Sequence, residues 1–189
     1  MIVLTPQLLT RLLVLGLIVV IAQVAAVAQV RLLGVNADIV PLAVASAGLL
    51  CGSLGGAAFG FAVGLFVDMA LVQTLGIDSL LYTAVGYGAG RVRELRDPQG
   101  AAIPPVVGGI ATLVAVGGFA LLQFLLGVDA PVSFLLITQI FAVVLVNTIA
   151  AIPVHALVRR WLTPALPDDP KRRRRRAYTT GGLSPLSRA

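Results

Sequence analysis

The chain has 189 residues, of which 58% are hydrophobic and only 12% are charged, and its formal net charge is +6. A soluble domain carries about 25% charged residues, so this composition excludes an ordinary globular domain, a disordered chain and a disulfide-stapled secreted module. It indicates a polytopic membrane protein of all-α fold. With one cysteine, Cys51, and one histidine, the chain has too few soft ligands for a thiolate or imidazole metal site, and we expect no metal or cofactor.

Uncharged stretches predict the membrane-spanning helices, because a charge at the bilayer centre costs about 2.5–3.5 kcal/mol and a span needs about 20 apolar residues. The first helix is predicted over 12–30. At 19 residues this stretch exceeds the core of a signal peptide, which has roughly 7–15. The run 39–75 is interrupted only by Asp68. As one helix it would measure about 55 Å, against a hydrocarbon core about 30 Å thick.

The run 39–75 is therefore expected to form two short helices. Their turn is placed near Gly52-Ser53-Leu54-Gly55, where glycine tolerates any backbone angle, and the second helix covers about 55–75. Three more helices follow in chain order, each defined by a further uncharged run. They are predicted over 78–92, over 104–127 with two prolines at its start, and over 133–158 with a kink at Pro153.

Six spans divide the chain into a transmembrane domain, 1–162, and a basic disordered cytoplasmic tail, 163–189. The positive-inside bias then puts every lysine and arginine except Arg31 on the cytoplasmic side, together with both termini. Five spans would satisfy the charge bias equally well, so the choice of six depends on the length of the run 39–75. The expected location is the cell membrane.

The tail holds six consecutive basic residues, for which we expect contact with anionic lipid at about 1 kcal/mol each. The nucleic-acid alternative is disfavoured because no folded reader accompanies the run and Tyr178 is the only aromatic residue beside it. These residues are Lys171, Arg172, Arg173, Arg174, Arg175 and Arg176.

Glycines recur at intervals of four from residue 48 to residue 64, a pattern that we call the glycine ladder. Small residues at this spacing let helix backbones approach closely in lipid. Two alternatives follow: packing among the second, third and fourth helices, or a docking face for another membrane protein. Gly86 and Gly90 repeat the spacing on the fourth helix and favour the intramolecular alternative there. The ladder consists of Gly48, Gly52, Gly56, Gly60 and Gly64.

Asp68 is an acid within an apolar run, and a buried ionisable group in a membrane marks a functional site by default. One hypothesis is a proton or cation relay. The favoured one is a structural hydrogen bond, which caps a neighbouring helix or meets Gln73 or Tyr82, because the sequence shows no second carboxylate within a span.

The other polar residues of the spans predict structural roles. A glutamine or asparagine there indicates an interhelical hydrogen bond of about 0.6 kcal/mol. His155 is expected to be solvated at the cytoplasmic interface, and Trp161 to anchor the chain there. No catalytic constellation is present, so we do not expect an enzyme. The scattered polar residues are Gln23, Gln29, Gln123, Gln139 and Asn147.

The stretch 38–90 contains a series of recognisable features: Asp38 and Pro41, then GFAVGLFVD at 60–68, then Leu75-Gly76, and then Tyr82 with GYGAG at 86–90. In these features it resembles the rod shape-determining protein MreD family. The motif positions that match residue by residue are Gly60, Phe61, Gly64, Leu65 and Asp68; Gly76 belongs to the L-G pair, and Gly86, Tyr87 and Gly90 to the glycine-rich end.

The resemblance implies a non-catalytic membrane scaffold of the cell-elongation (rod) complex, similar in architecture to the substrate-binding subunits of energy-coupling-factor transporters. Its implied partners are the bitopic protein MreC and, through it, MreB, RodA and a class B penicillin-binding transpeptidase. The alternative is a vitamin-type transport subunit, for which the chain offers few aromatic residues (6%). A third hypothesis is an ion channel or proton-coupled carrier that uses Asp68.

Overall fold

The computed structural model describes residues 5–27, 31–32, 35–36, 38–72, 74–95, 102–127 and 134–166. Across these ranges the fold is helical, apart from a two-residue antiparallel pair of β1 (Arg31–Leu32) and β2 (Val35–Asn36). The all-α prediction is confirmed. The basic run of the tail lies outside the described residues. Four helical stretches are long and apolar enough to cross a membrane: Pro6–Ala25, Ile39–Ala70, Ile103–Leu125 and Ile137–Ala165.

The first helix, α1, spans Pro6–Ala22 and continues as a π-helical turn, Gln23–Val27. It begins earlier than predicted because Thr5 caps it, its side chain accepting a hydrogen bond from the Leu8 N–H at 3.4 Å, and because proline suits the first turn. Arg11 therefore lies inside the helix, and the prediction that α1 starts after it was wrong. The guanidinium of Arg11 donates a hydrogen bond to the carbonyl oxygen of Trp161 at 2.7 Å.

Helix α2 covers Ile39–Ala70, and its backbone is broken at Gly52, where φ is 85° and ψ is −179°. A Cβ built on Gly56 would lie 2.7 Å from the Cα of Gly48, although eight residues of continuous helix span about 12 Å. The chain therefore reverses at Gly52, which confirms the predicted break. We call 39–51 the first arm and 53–70 the second arm.

The remaining helices have bounds that differ from the prediction by a few residues. The second arm ends at Ala70 rather than near 75, and its carboxyl end is followed by Val72 with φ 53°. The predicted fifth helix is two helices that share a π-helical turn, Leu113–Gly117. The last helix continues through Pro153 to Leu162. The bounds are α3 Ile77–Leu95, α4 Ile103–Thr112, α5 Gly118–Leu125 and α6 Phe134–Leu162, with a 3₁₀ turn at Thr163–Ala165.

The first arm of α2 forms the centre of the bundle. Every residue from Val40 to Leu49 is buried, and α1, α3, α4 and α6 surround them. Asn147 of α6 is fully buried beside the start of this arm. Its amide donates to the Asp38 carbonyl at 2.8 Å and to the Thr112 hydroxyl at 3.1 Å, which ties α6, α4 and the start of α2 together.

Hydrogen bonds place the helix termini at two ends of the bundle. At one end, which we call the basic end, the start of α1 meets the end of α6 through Arg11 and Trp161. The Gly52 reversal meets the end of α3 there, because the Ser53 hydroxyl donates to Glu94 at 2.6 Å and the Arg93 guanidinium donates to the Leu50 carbonyl. The arginines with described side chains all belong to these termini: Arg11, Arg91, Arg93, Arg159 and Arg160.

At the opposite, acidic end the chain leaves α1 and enters α2. The Ile39 N–H donates to the side-chain oxygen of Gln23 at 3.0 Å, which confirms the interhelical role predicted for that glutamine. The second arm of α2 and the start of α3 meet there through Asp68. The helices therefore alternate in direction between the two ends, with the described arginine side chains at one end and the described aspartates at the other.

Candidate functional site

The glycine seam is the contact between the second arm of α2 and α3, formed by Gly56, Gly60 and Gly64 against the backbone of α3. A Cβ on Gly60 would lie 2.6 Å from the carbonyl carbon of Tyr82, and one on Gly64 would lie 2.5 Å from the Ser79 nitrogen. These neighbours are backbone atoms, which cannot rotate aside as a side chain can. Only glycine at these positions lets the two helices approach this closely.

The first arm of α2 packs against the same seam. A Cβ on Gly48 would lie 2.5 Å from the Gly86 carbonyl oxygen and 3.1 Å from the Ala89 Cβ, and Gly90 packs against the backbone of Gly52 and Ser53. The described ladder glycines therefore make contacts inside the chain. The sequence left two alternatives for the ladder, packing within the chain or docking of another membrane protein. The contacts of these glycines are those of packing within the chain.

Three of the predicted site residues lie outside the seam. The Phe61 side chain is 55% exposed and that of Tyr87 is 50% exposed, so both point away from the helix pairs that the glycines join. Gly76 has φ 101° with no atom near its missing side chain, and it makes the turn that leads into α3. The motif thus has an inward face of glycines and an outward aromatic component.

Asp68 caps the start of α3. Its side chain is fully buried and accepts hydrogen bonds from the Gly76 N–H at 2.7 Å, the Asp78 N–H at 3.3 Å and the Ser79 hydroxyl at 3.4 Å. The first N–H groups of a helix lack intrahelical partners and form the positive end of its dipole, so a carboxylate there satisfies both. This is the capping role predicted as the favoured alternative.

The spacing of the motif explains why the acid follows the glycines. Gly60, Gly64 and Asp68 are four residues apart and therefore lie on one face of the second arm. The two glycines allow α3 to approach, and Asp68, one turn further on, meets the first turn of α3. Three donors occupy three of the roughly four acceptor positions of a carboxylate, which favours the structural role of Asp68 over a proton relay.

Two further aspartates, Asp38 and Asp78, lie at the acidic end together with Asp68. Asp78 is buried in the first turn of α3, where the charges of Asp68 and Asp38 act on it. The expectation of no second carboxylate among the packed helices was wrong. The signal was available for Asp38, because an aspartate directly before an apolar helical run is a typical N-cap.

Asp38 joins α2 to α6 at the acidic end. Its side chain accepts from the Val40 N–H at 3.2 Å as the cap of α2, and its own N–H donates to the Asn147 side-chain oxygen at 3.3 Å. Burial raises the pKa of the Asp38 carboxyl to about 6, and the hydrogen bond from Val40 opposes that rise. The interhelical bonding predicted for Asn147 is confirmed.

A small pocket opens between these acids and the α4–α5 segment. Its volume is about 180 Å³, and the polar groups that line it belong to Gln23, Asp38, Asp78 and Tyr82, with Phe119 among the apolar ones. Binding sites for drug-sized ligands have about 300–1,000 Å³. Across the described ranges, no group of three or more histidine, cysteine or acidic side chains is arranged to hold a metal ion.

Trp161 and His155, for which the sequence predicts an interface anchor and a solvated side chain, both lie near the basic end. Trp161 is 42% exposed, and its indole N–H donates to the Arg11 carbonyl at 3.3 Å. His155 is half-buried, and its Nδ1 is a buried atom without a hydrogen-bond partner among the described residues. The expectation of a solvated histidine was wrong for this nitrogen, which is buried within the continuous helix α6 that extends to Leu162.

Three comparisons with known proteins found no relative of the chain. No family model, no curated protein and no solved structure matches the chain. The resemblance of the stretch 38–90 to the MreD family therefore rests on its own residues.

Proposed function

We propose that this protein is a non-catalytic membrane scaffold of the cell-elongation complex, of the MreD type, which supports peripheral peptidoglycan synthesis and cell shape. One observation supports this most directly: the motif residues are the ones that assemble a rigid helical hairpin. Gly60 and Gly64 seat the second arm of α2 on α3, and Asp68 caps α3 through three hydrogen bonds. Every motif residue at the seam has a packing role.

The proposed topology has six crossings of the cell membrane, with both termini cytoplasmic. Helix α2 contributes two of them because its arms run in opposite directions from Gly52, and α3 contributes one because it packs along both arms. The described arginine side chains belong to the basic end, where the start of α1 and the end of α6 meet. The positive-inside rule makes that end cytoplasmic.

The partner surface is proposed to lie on the outward side of the hairpin. Phe61 and Tyr87 belong to the motif and yet are half exposed, so packing within the chain does not require them. Aromatic side chains bury a large area at little cost in conformational entropy, which suits contact with a single partner helix. The proposed partner is a bitopic MreC-like protein, and through it MreB, RodA and a class B penicillin-binding transpeptidase.

The test separates the partner surface from the fold. In a rod-shaped host that depends on this protein, depletion should round the cells. Phe61→Ala with Tyr87→Ala should lower the amount of MreC-like protein that co-purifies while the scaffold itself accumulates normally. Phe66→Ala with Leu80→Ala is the matched control, since these side chains are also exposed but lie outside the matching motif positions. Cells that stay rod-shaped on depletion, with unchanged co-purification, contradict the proposal.

A small-molecule transport subunit is the second candidate, and the acidic pocket is the observation that favours it. A pocket of about 180 Å³ suits only a small cationic ligand, which Asp38 and Asp78 would attract. The discriminating experiment is mass spectrometry of the small molecules that co-purify with the full chain, with Asp38→Asn and Asp78→Asn as variants. A stoichiometric ligand lost in both variants would favour transport over the scaffold.

A further inference from the structure

A groove at the basic end lies apart from the glycine seam and the acidic pocket. It runs between the start of α4 and the last turns of α6, and its volume is about 590 Å³. The α6 residues that line it are three or four positions apart, so they share one face of the helix over about 16 Å of its length. They are Ile152, His155, Ala156, Arg159 and Arg160, followed by Thr163; Pro104 of α4 lies across from them.

The groove changes character along its length. Its deeper part is apolar, with Ile152 57% exposed. Its outer part holds Arg159 and Arg160, both exposed, and neither guanidinium forms an ion pair or a hydrogen bond with another described residue. Two cations above an exposed apolar strip match a molecule that is anionic at one end and hydrocarbon at the other.

His155 supplies an independent observation. Its imidazole lines the groove between the apolar and the cationic parts, and its Nδ1 is buried without a partner in the described structure. Most buried polar groups in folded proteins have a hydrogen-bond partner, so this nitrogen is an exception at the wall of the groove. The rest of the imidazole lines the groove, and a group bound there would contact the ring.

We propose that the groove is a binding site for one anionic phospholipid. The phosphate lies between Arg159 and Arg160 with the imidazole of His155 below it, and an acyl chain follows the apolar strip along Ile152. Trp161, next in the chain, is a residue type that concentrates at the membrane interface. The residues of the site are not those of the basic run 171–176, and the proposal does not depend on the scaffold function.

Charge complementarity selects a lipid over other occupants. Arginine pairs with phosphate oxygens in bidentate geometry, and this pair stands at the end of a helix apolar enough to span the membrane. Free phosphate would satisfy the arginines but would leave the strip at Ile152 uncovered. A lipid accounts for both parts of the groove.

The test measures lipid binding to the full chain in neutral detergent by native mass spectrometry, with dioleoyl phosphatidylglycerol and dioleoyl phosphatidylcholine as probes. The wild type should retain one phosphatidylglycerol in preference to phosphatidylcholine. Arg159→Gln with Arg160→Gln should weaken that binding about 30-fold, from roughly a fivefold loss for each arginine. The control, Arg91→Gln with Arg188→Gln, makes the same change of charge at one arginine of α3 and at one outside the basic run, and should leave it unchanged.

A second variant distinguishes lipid from phosphate alone. Ile152→Trp fills the apolar part of the groove, keeps both arginines, and should also weaken phosphatidylglycerol binding. Thermal melting without added lipid should be the same for wild type and the α6 variants, because the side chains of Ile152, Arg159 and Arg160 are exposed. The proposal is overturned if the control variant lowers binding as much as the α6 pair does. It is also overturned if inorganic phosphate displaces the probe from wild type and from Ile152→Trp alike, since the arginines would then bind phosphate without the strip.

Discussion

Substituting Gly60 by alanine should destabilise the protein by about 2 kcal/mol. The new Cβ would lie 2.6 Å from the Tyr82 carbonyl carbon, whereas carbon atoms in contact are about 3.5–4.0 Å apart. The second arm of α2 and α3 must therefore separate by about 1 Å along the whole seam. Overpacking costs about 1–3 kcal/mol, near the upper end here because backbone atoms oppose the methyl group. The better helix propensity of alanine offsets up to about 1 kcal/mol of this cost.

The matched control is Gly88→Ala, also in α3. Gly88 is exposed and has no atom within 4 Å of its missing side chain, so only the propensity gain remains, and we expect stabilisation by about 0.5–1 kcal/mol. Free energies of unfolding can be measured in mixed micelles with increasing denaturing detergent, followed by circular dichroism and by the fluorescence of the single tryptophan, Trp161. Equal stability of the two variants would show that the seam does not require glycine.

Three further variants test other elements by the same unfolding measurement. Gly52→Ala should cost about 1–3 kcal/mol, because φ of 85° with ψ of −179° is open almost only to glycine; an unchanged stability would place the reversal elsewhere. Asp68→Ala should cost about 2–3 kcal/mol and speed hydrogen exchange at the Gly76 amide, and slow exchange there would argue against the cap. Asn147→Leu should cost about 1–3 kcal/mol by leaving buried partners unpaired, whereas Gln139→Leu at an exposed position of α6 should have little effect.

These variants also separate the stability of the fold from its proposed role in assembly. Substitutions at the seam should lower both the amount of folded protein and the capture of partners. Phe61→Ala with Tyr87→Ala should affect capture alone, because neither side chain is needed for the internal packing. A motif that combines inward glycines with outward aromatic residues would thus couple one rigid hairpin to one partner helix.

The Asp68 cap shows how part of the site follows from local chemistry. A lone acid in an apolar run has few stable solutions, and a helix start supplies unpaired N–H groups and a positive dipole. The four-residue spacing from Gly60 and Gly64 puts that acid on the face that meets α3. The favoured structural role was therefore predictable, although the donors at Gly76, Asp78 and Ser79 were not.

The sequence by itself determined the all-helical fold, the presence of helices apolar enough to cross a membrane, and a reversal near Gly52–Gly55. These features follow from properties that can be read from a short segment of sequence. They are the free-energy cost of burying a charge, the length of a helix compared with the thickness of the bilayer, and the backbone freedom of glycine. The start of α1 was missed because the charge of Arg11 was weighed without its partner, the carbonyl of Trp161, which lies 150 residues away.

Only the tertiary structure decided which groups from distant segments share one space. It brought Asp38 and Asp78 beside Asp68, made the glycine ladder an internal contact, and placed Pro104 across the groove from His155. Each of these depends on how helices far apart in the chain pack against one another. Helical periodicity specifies the face of a residue, but the neighbour that covers that face is set by the packing of the whole bundle.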